Sequence, residues 1–191
     1  MTISKREFIR LSGATAAAAA FGTAAASDGE SKDVAAELQP ITGDAVPISV
    51  DERLARVAKA QKLMTQLNID AILIEPGSAM LYFSGISWWR SERLTALVIP
   101  REGEIAVVTP YFEEPSVRES MTFGDDVRTW HEHESPFERV AGILEDRGLK
   151  GGRIGLEETV RYFVAEGVGK AAAKFELVGA TPVTLGCRMY K

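Results

Sequence analysis

"LTALVIPREGEIAVVTP", Leu94 to Pro110, decides the fold class, because it holds two short apolar runs separated by a turn. Each run is rich in Val, Ile and Leu, which is typical of a strand covered on both faces. The connecting residues, Arg101 to Glu104, contain Gly103, which suits a tight turn. The stretch therefore predicts an antiparallel hairpin inside a sheet.

Segments on both sides of the hairpin extend this pattern. Short runs of strand-forming residues alternate with segments whose apolar residues have helical spacing. The predicted strands beyond the hairpin are residues 70–75, 126–130, 153–157 and 175–180. The predicted helices are residues 49–68, 111–121, 135–148 and 160–174. Helices alternating with buried strands predict an α/β fold, in which a mixed β-sheet is covered by helices.

Two of the predicted helices have start signals. Ser49 with Glu52, and Ser135 with Glu138, have the spacing of a capping box, and Pro136 occupies a favoured first helical position. The apolar stripe of the first helix is predicted to run through Leu54, Val57, Ala58, Met64 and Leu67.

The composition is that of a globular protein with an acidic balance. The chain has 191 residues, of which 46% are hydrophobic and 26% charged, and its net charge is −5. This balance argues against nucleic acid as a partner, because phosphate binding requires a basic surface. The one cysteine, Cys187, excludes an internal disulfide and a zinc site built from several cysteines. We expect Cys187 to be a small buried residue.

The first 26 residues resemble an export signal rather than part of the fold. A basic start, SKREFIR, precedes an alanine-rich run that ends in an A-x-A-like site near residues 24–26. The start resembles a twin-arginine signal with Lys5 in place of the first arginine, and a general secretory signal is the alternative. The run is too short and too rich in alanine for a membrane span. We therefore expect a periplasmic or secreted protein, with residues 27–48 as a flexible linker.

No set of residues in the sequence predicts catalysis. His131 and His133 have i, i+2 spacing, which in a strand places both on one side, where Glu132 or Glu134 could complete a metal site. Most pairs of this kind are solvated loop residues, so the signal is weak. No serine lies in a G-x-S-x-G elbow, and the sequence has neither G-x-G-x-x-G nor a phosphate loop. We expect no catalytic residue and no metal site in this chain.

The loop before the hairpin is the strongest candidate for binding. Trp88, Trp89 and Arg90 follow Gly85 between two apolar segments, and Arg93 stands just before the strand. Loops held by a rigid scaffold often carry binding residues, and Trp and Arg are enriched in binding hot spots. Adjacent tryptophans in a strand would point to opposite faces. The alternative is one tryptophan that covers the core, with the arginines solvated.

Six features in order resemble the N-terminal domain of the creatinase and Xaa-Pro peptidase superfamily, which includes aminopeptidase P and prolidase. They extend from about Asp51 to the end of the chain, where "CRMYK" resembles the start of the helix that leads into the family's second domain. The six are the helix pattern of residues 56–67, "IDAILI" (69–74), "YFSG" (82–85), Arg93 before an apolar strand, the turn Glu102-Gly103, and "RIGLE" (153–157).

The resemblance implies a ribonuclease-H-like sandwich at residues 49–184, followed by the start of a linker at residues 185–191. In the family, a second "pita-bread" domain holds two divalent metal ions (Mn, Co or Zn) with two Asp, one His and two Glu. None of those five ligand positions exists in this sequence. The resemblance therefore implies no cofactor in this chain and no hydrolysis by it alone.

The resemblance also implies a role for the Trp/Arg loop. Family members are homodimers or dimers of dimers, in which this domain reaches the active-site mouth of the neighbouring subunit. Aromatic and arginine side chains there limit substrate size and bind a carboxylate. Arg93 matches the arginine that pairs with the substrate carboxylate in the creatinase branch. Trp88, Trp89 and Arg90 lie in the family's variable aromatic loop.

These inferences favour a substrate-gating and oligomerisation domain of an exported Xaa-Pro dipeptidase or aminopeptidase-P-like metallopeptidase, whose substrates have proline at the second position. A creatinase-like amidinohydrolase is an alternative that this domain does not separate from the peptidase. The alternative from another class is a stand-alone exported binding module for a peptide or a small carboxylate.

Overall fold

A mixed sheet forms the centre of the computed structural model, which describes residues 41–189. Its strands are β1 (Ala71–Ile74), β2 (Ala96–Pro100), β3 (Ala106–Pro110), β4 (Asp126–Trp130), β5 (Gly152–Leu156) and β6 (Phe175–Gly179). Their order across the sheet is β4-β3-β2-β1-β5-β6. β2 is antiparallel to both of its neighbours, and the other neighbouring pairs are parallel. The predicted hairpin is thus confirmed, with Leu97 opposite Val107.

Helices cover both faces of this sheet. They are α1 (Val50–Leu67), α2 (Ser78–Ser84), α3 (Glu114–Ser120), α4 (Pro136–Asp146), α5 (Tyr162–Ala171) and α6 (Thr181–Arg188). A 3₁₀ turn, Tyr111–Glu113, precedes α3. The α/β fold class with a mixed, helix-covered sheet is confirmed.

Alternating side chains of the strands divide the core into two layers. Leu97 and Ile99 of β2 pack on the layer formed with α1, α2, α3 and α6, while Ala96 and Val98 pack on the layer formed with α4 and α5. β1 alternates in the same way, because successive side chains of a strand point to opposite faces. The fully buried strands β1, β2 and β3 therefore hold the middle of the sheet rigid.

Both predicted helix starts are confirmed. The Ser49 hydroxyl accepts a hydrogen bond from the Glu52 backbone N–H, and the Ser135 hydroxyl accepts one from the Glu138 backbone N–H. The apolar stripe of α1 differs from the prediction, since Leu54 and Leu67 are 47% and 38% exposed. Ala58 is exposed as well, whereas the predicted Val57 and Met64 are buried, together with Arg53 and Ala60. Arg53 can join the buried face because its guanidinium donates to the Leu81 carbonyl at 2.7 Å.

The helix predicted at residues 160–174 is shorter than expected. The Val160 N–H donates to the Glu157 carbonyl, and the Arg161 N–H donates to the Glu75 carboxylate. These bonds hold a turn, so α5 begins only at Tyr162. At its other end, the Phe175 N–H donates to the Ala172 carbonyl and turns the chain into β6.

Only some of the predicted domain boundaries lie within the residues that the structure describes. The predicted boundary between residues 184 and 185 falls inside α6, where Cys187 is fully buried in the core. The predicted export signal (1–26), residues 27–40 of the predicted linker and residues 190–191 lie outside the described residues. Between residues 41 and 189, no helix combines the length and the apolar character needed to cross a membrane.

Candidate functional site

The four predicted binding residues lie at the carboxyl edge of the sheet. We use "carboxyl edge" for the loop before β2 and the residues that follow β1, β3, β4 and β5, namely residues 85–95, Glu75, 111–113, 131–134 and 157–161. β2 runs opposite to its neighbours, so its start meets their ends. In open α/β sheets, ligands bind outside the carboxyl ends of the strands. The topology therefore places the predicted residues where this fold class binds ligands.

The two tryptophans of the loop have different environments. Trp88 is half-buried against the core, and its indole N–H donates to Glu113 Oε2 at 3.3 Å. Trp89 is 89% exposed. The segment is not a strand, yet the two adjacent side chains still diverge, with one covering the core and the other facing outward. Trp89 is therefore the tryptophan that is available to a ligand or partner.

Arg90 is an exposed residue whose side chain nevertheless anchors the loop. Its Nε donates to the Pro76 carbonyl at 2.9 Å, and its Nη2 donates to the Thr159 hydroxyl. The backbone N–H of Thr159 in turn donates to the buried Glu157 carboxylate at 2.8 Å. Arg90 thus connects the loop to the turns that follow β1 and β5.

A buried ion pair that was not predicted from the sequence supports the loop. Glu75 is only 1% exposed, and its Oε1 accepts from Arg161 Nε at 2.9 Å and from Arg161 Nη2 at 2.6 Å. Its Oε2 accepts from the Arg161 backbone N–H, and Arg161 Nη1 donates to the Ser91 carbonyl. Glu75 directly follows a strand that is buried on both faces, and this position is the sequence signal for a carboxylate that requires a partner.

Arg93 presents a partly accessible guanidinium at the same edge. Its side chain is 34% exposed and lies over the ring of Phe112, with 5.4 Å from Cζ to the ring centroid. Nε donates to Glu132 Oε1 at 2.6 Å, and Nη1 donates to Glu92 Oε1. The hydrogen bond to Glu132 raises the pKa of Arg93 above its ordinary value, so this side chain is a permanent cation.

Glu113 connects the loop to the sheet. Besides Trp88, its Oε2 accepts from the hydroxyl of Thr95 at 3.1 Å and from that of Thr109 at 3.5 Å. The two threonines are buried, and their hydroxyl oxygens lie 3.1 Å apart. Because the Trp88 indole and both hydroxyls point at the Oε2 atom, Glu113 acts as a structural acceptor.

The two histidines form part of an exposed stack at the edge. The ring of His131 lies 4.6 Å from that of Tyr111 and 5.7 Å from that of His133. The backbone N–H of His131 donates to Glu134, whose pKa is lowered chiefly by a hydrogen bond from Arg139. In residues 41–189, no three His, Cys, Asp or Glu side chains are grouped so that they could hold a metal ion. The edge offers a cation and aromatic rings, which suit the binding of a carboxylate and of a flat apolar group.

A second concave surface lies away from this edge. A groove of about 700 Å³ runs between α1, α2 and α6, and is lined in part by Arg53, Arg56, Leu81, Tyr82 and Cys187. Burial raises the pKa of both the Tyr82 hydroxyl and the Cys187 thiol, so both are protonated at neutral pH. Neither of these two groups is therefore an activated nucleophile, and none of the predicted binding residues lines the groove.

The region that carries the six sequence features is also similar to known proteins. The model of the family described as "Creatinase/Prolidase N-terminal domain" matches residues 56–190. An uncharacterized peptidase of Schizosaccharomyces pombe is 30% identical over 166 residues, which cover 80% of this chain and 35% of that protein.

Solved structures show the same fold. Dipeptidase PepE from Mycobacterium ulcerans aligns with a TM-score of 0.66 and 29% identity, over 73% of this chain and 37% of that one. The N-terminal domain of an Xaa-Pro dipeptidase from Lactobacillus brevis aligns with a TM-score of 0.62 and 15% identity, over 70% of this chain and 98% of that domain. The chain thus spans little more than a third of the longer relatives and nearly all of the isolated domain.

Proposed function

The chain belongs to the creatinase/prolidase N-terminal domain family, and from this premise we propose that it is the substrate-gating and oligomerisation domain of an exported Xaa-Pro dipeptidase or aminopeptidase-P-like metallopeptidase. The observation that carries the proposal is the position of Arg93, which presents a partly exposed guanidinium at the carboxyl edge beside exposed aromatic rings. The proposed ligand is a short peptide with proline at the second position and a free carboxylate.

The chemistry of the edge fits such a peptide. A guanidinium can bind a carboxylate through two parallel hydrogen bonds. The exposed rings of Trp89 and Phe112 give flat apolar surfaces against which a proline ring can pack. Arg90, Arg161 and Glu113 hold the loop in one position, so a ligand does not have to order it.

Hydrolysis is assigned in this proposal to a separate catalytic domain with two divalent metal ions. The metal ions of such a domain would supply an activated water for hydrolysis of the bond before proline. Some relatives are named as dipeptidases, which favours a peptide over a creatine-like substrate. The chain's own contribution is to bind one end of the substrate and to limit its size.

The test of the substrate role is Arg93→Ala in the enzyme that joins this domain to its catalytic domain. Hydrogen bonds to charged groups contribute about 1.5–3 kcal/mol, so we expect the KM for Ala-Pro to rise roughly tenfold or more. The metal content, measured by elemental analysis, should stay the same. Arg118→Ala on α3 is the matched control, because Arg118 is an exposed arginine paired with Glu114 and Asp125. An unchanged KM in Arg93→Ala would refute the role.

Assembly and export are tested separately. For the proposed homodimer or dimer of dimers, sedimentation equilibrium of the same enzyme should give an even number of subunits, and a monomer at micromolar concentration would contradict it.

For the proposed export, mass spectrometry of the protein recovered from the periplasm or medium should find a chain that begins near Ser27. Retention of residues 1–26 in a cytoplasmic protein would contradict that part.

A further inference from the structure

The hydrogen-bond donors of Arg93 are divided between two carboxylates of this chain. Nε donates to Glu132 at 2.6 Å, and Nη1 donates to Glu92. Nη2 donates to no acceptor within residues 41–189. Each glutamate therefore makes a single hydrogen bond, and neither forms the bidentate pair that gives Arg–carboxylate contacts their strength.

This division affects how a ligand carboxylate can bind. A guanidinium offers a carboxylate two bidentate faces, one made by Nε with Nη2 and the other by Nη1 with Nη2. Glu132 occupies half of the first face, because Nε carries a single hydrogen, and Glu92 binds one of the two hydrogens of Nη1. A ligand that binds through the Nε/Nη2 face must displace Glu132.

The local charge opposes a carboxylate in the same way. One arginine and two glutamates in direct contact give a net charge of 1 − 2 = −1 at this point of the edge. Glu113 adds a further negative charge close enough to act on Arg93. An incoming anion is therefore repelled unless a glutamate moves away.

Of the two glutamates, Glu132 is better placed to compete with a ligand carboxylate for Arg93. Glu92 is the neighbour of Arg93 in the chain, whereas Glu132 comes from the loop after β4. That loop is closed by hydrogen bonds from the Glu134 N–H to the His131 carbonyl and from the His131 N–H to the Glu134 carboxylate. Yet the Glu132 side chain is 66% exposed, so it can swing into water without leaving a buried charge.

We propose that Glu132 is a specificity-determining residue, which competes as an internal carboxylate with the carboxylate of the ligand for Arg93. The inference rests on the proposed function of Arg93. It implies that a ligand gains from Arg93 only if its carboxylate makes both bonds of the Nε/Nη2 face. Anions that make only one bond to Arg93 do not displace Glu132 and therefore do not use the Nε/Nη2 face.

The test uses the full 191-residue chain labelled with ¹⁵N. The Nε–H signal of Arg93 is assigned by its loss in Arg93→Ala and is followed during titration with Ala-Pro or with Ala-Pro amide. Exposed ion pairs contribute about 0.2–1 kcal/mol, so Glu132→Gln should bind Ala-Pro about two- to fivefold more tightly. Its affinity for the amide should not change. The control is Glu166→Gln on α5, which removes the same charge from an exposed pair with Lys170.

The outcomes separate this inference from the proposed function. Equal affinity of Glu132→Gln and the unmodified chain for Ala-Pro overturns the role of Glu132, even if Arg93→Ala abolishes binding and the function of Arg93 stands. Equal tightening for the amide, or in Glu166→Gln, also overturns it, because the effect would then be general electrostatics. Binding that persists in Arg93→Ala, followed by the backbone amide signals of the ¹⁵N-labelled chain, refutes the proposed function itself. If no variant binds Ala-Pro, Glu132→Gln included, the proposal that Glu132 competes with a ligand carboxylate is refuted.

Discussion

The two edges of the sheet both carry arginine–carboxylate pairs, but they use them differently. At the amino edge, where β1, β4 and β5 begin, Asp70 accepts from the Arg153 backbone N–H and pairs with Arg101. Asp126 similarly accepts from two arginines, Arg128 and Arg147. Each aspartate there is largely buried and has several partners. The arginines that pair with these two aspartates are therefore part of the structure of this edge.

The carboxyl edge contains both kinds of pair. Glu75 and Arg161 are joined by three hydrogen bonds beneath the loop, whereas Arg93 makes only single bonds to two exposed glutamates above it. Because exposed pairs contribute little to folding, their partners can be exchanged for a ligand at small cost. Burial and the number of bonds, rather than the presence of charge, thus distinguish a structural pair from a binding group.

The largest effect is expected for the buried pair. Glu75→Ala removes the acceptor of three hydrogen bonds and leaves Arg161 uncompensated, so unfolding free energy should fall by about 3 kcal/mol. Urea unfolding measures it, with Glu166→Ala as the exposed control, which should cost less than about 0.5 kcal/mol. An equal loss of unfolding free energy in the two variants would contradict the distinction between buried and exposed pairs.

A somewhat smaller effect is expected for Gly152 at the amino edge. Its φ of +129° strains any other residue, and a Cβ there would overlap Asp70 Oδ2. Gly152→Ala should therefore lower the unfolding free energy by about 2–3 kcal/mol.

The control for this variant is Gly142→Ala inside α4, where a Cβ meets nothing within 4 Å. This change should instead stabilise the protein by about 0.5–1 kcal/mol, because glycine is a poor helix former. Thermal or urea unfolding that showed the same sign for both variants would contradict the packing described at Asp70.

Much of the fold could be predicted from the sequence because its signals are local. Buried strands appear as short Val- and Ile-rich runs, and Ser49 and Ser135 mark helix starts by their spacing. The position of Arg93 before β2 was also visible. Its partner Glu132 was not, since 39 residues separate the two and only the pairing of β3 with β4 brings them together. The pair of Glu75 and Arg161, 86 residues apart, was missed for the same reason.

The pH dependence of stability should show the contribution of the ion pairs of Asp126 at the amino edge. Hydrogen bonds from Arg128, and then from Arg147, lower the pKa of Asp126 below its ordinary value. The charged form is therefore favoured by folding, and its stabilisation is present at neutral pH and is lost as the pH falls through the lowered pKa. Asp126→Asn should be less stable by about 1 kcal/mol at pH 7, with the difference shrinking below pH 4. A difference that stays constant from pH 7 to pH 2.5 would contradict this assignment.

The smallest effect on stability is expected for Arg93. Its pairs are exposed, so Arg93→Ala should change the unfolding free energy by less than about 0.5 kcal/mol. Arg161→Ala, which leaves Glu75 buried and unpaired, should cost several times more. A loss above about 1 kcal/mol in Arg93→Ala would make this arginine a structural residue like those of the amino edge.

Cross-linking tests most directly whether the carboxyl edge faces a ligand site completed by a neighbouring subunit, as proposed. Trp89→p-benzoylphenylalanine, in the assembled enzyme that includes the catalytic domain, should form a light-induced cross-link between subunits. Mass spectrometry should place the linked peptide beside the metal ligands of the neighbour. The same probe at Glu102, in the turn at the amino edge, should give no such product. Cross-links from Trp89 only within its own subunit, or equal yields from both positions, would contradict the account.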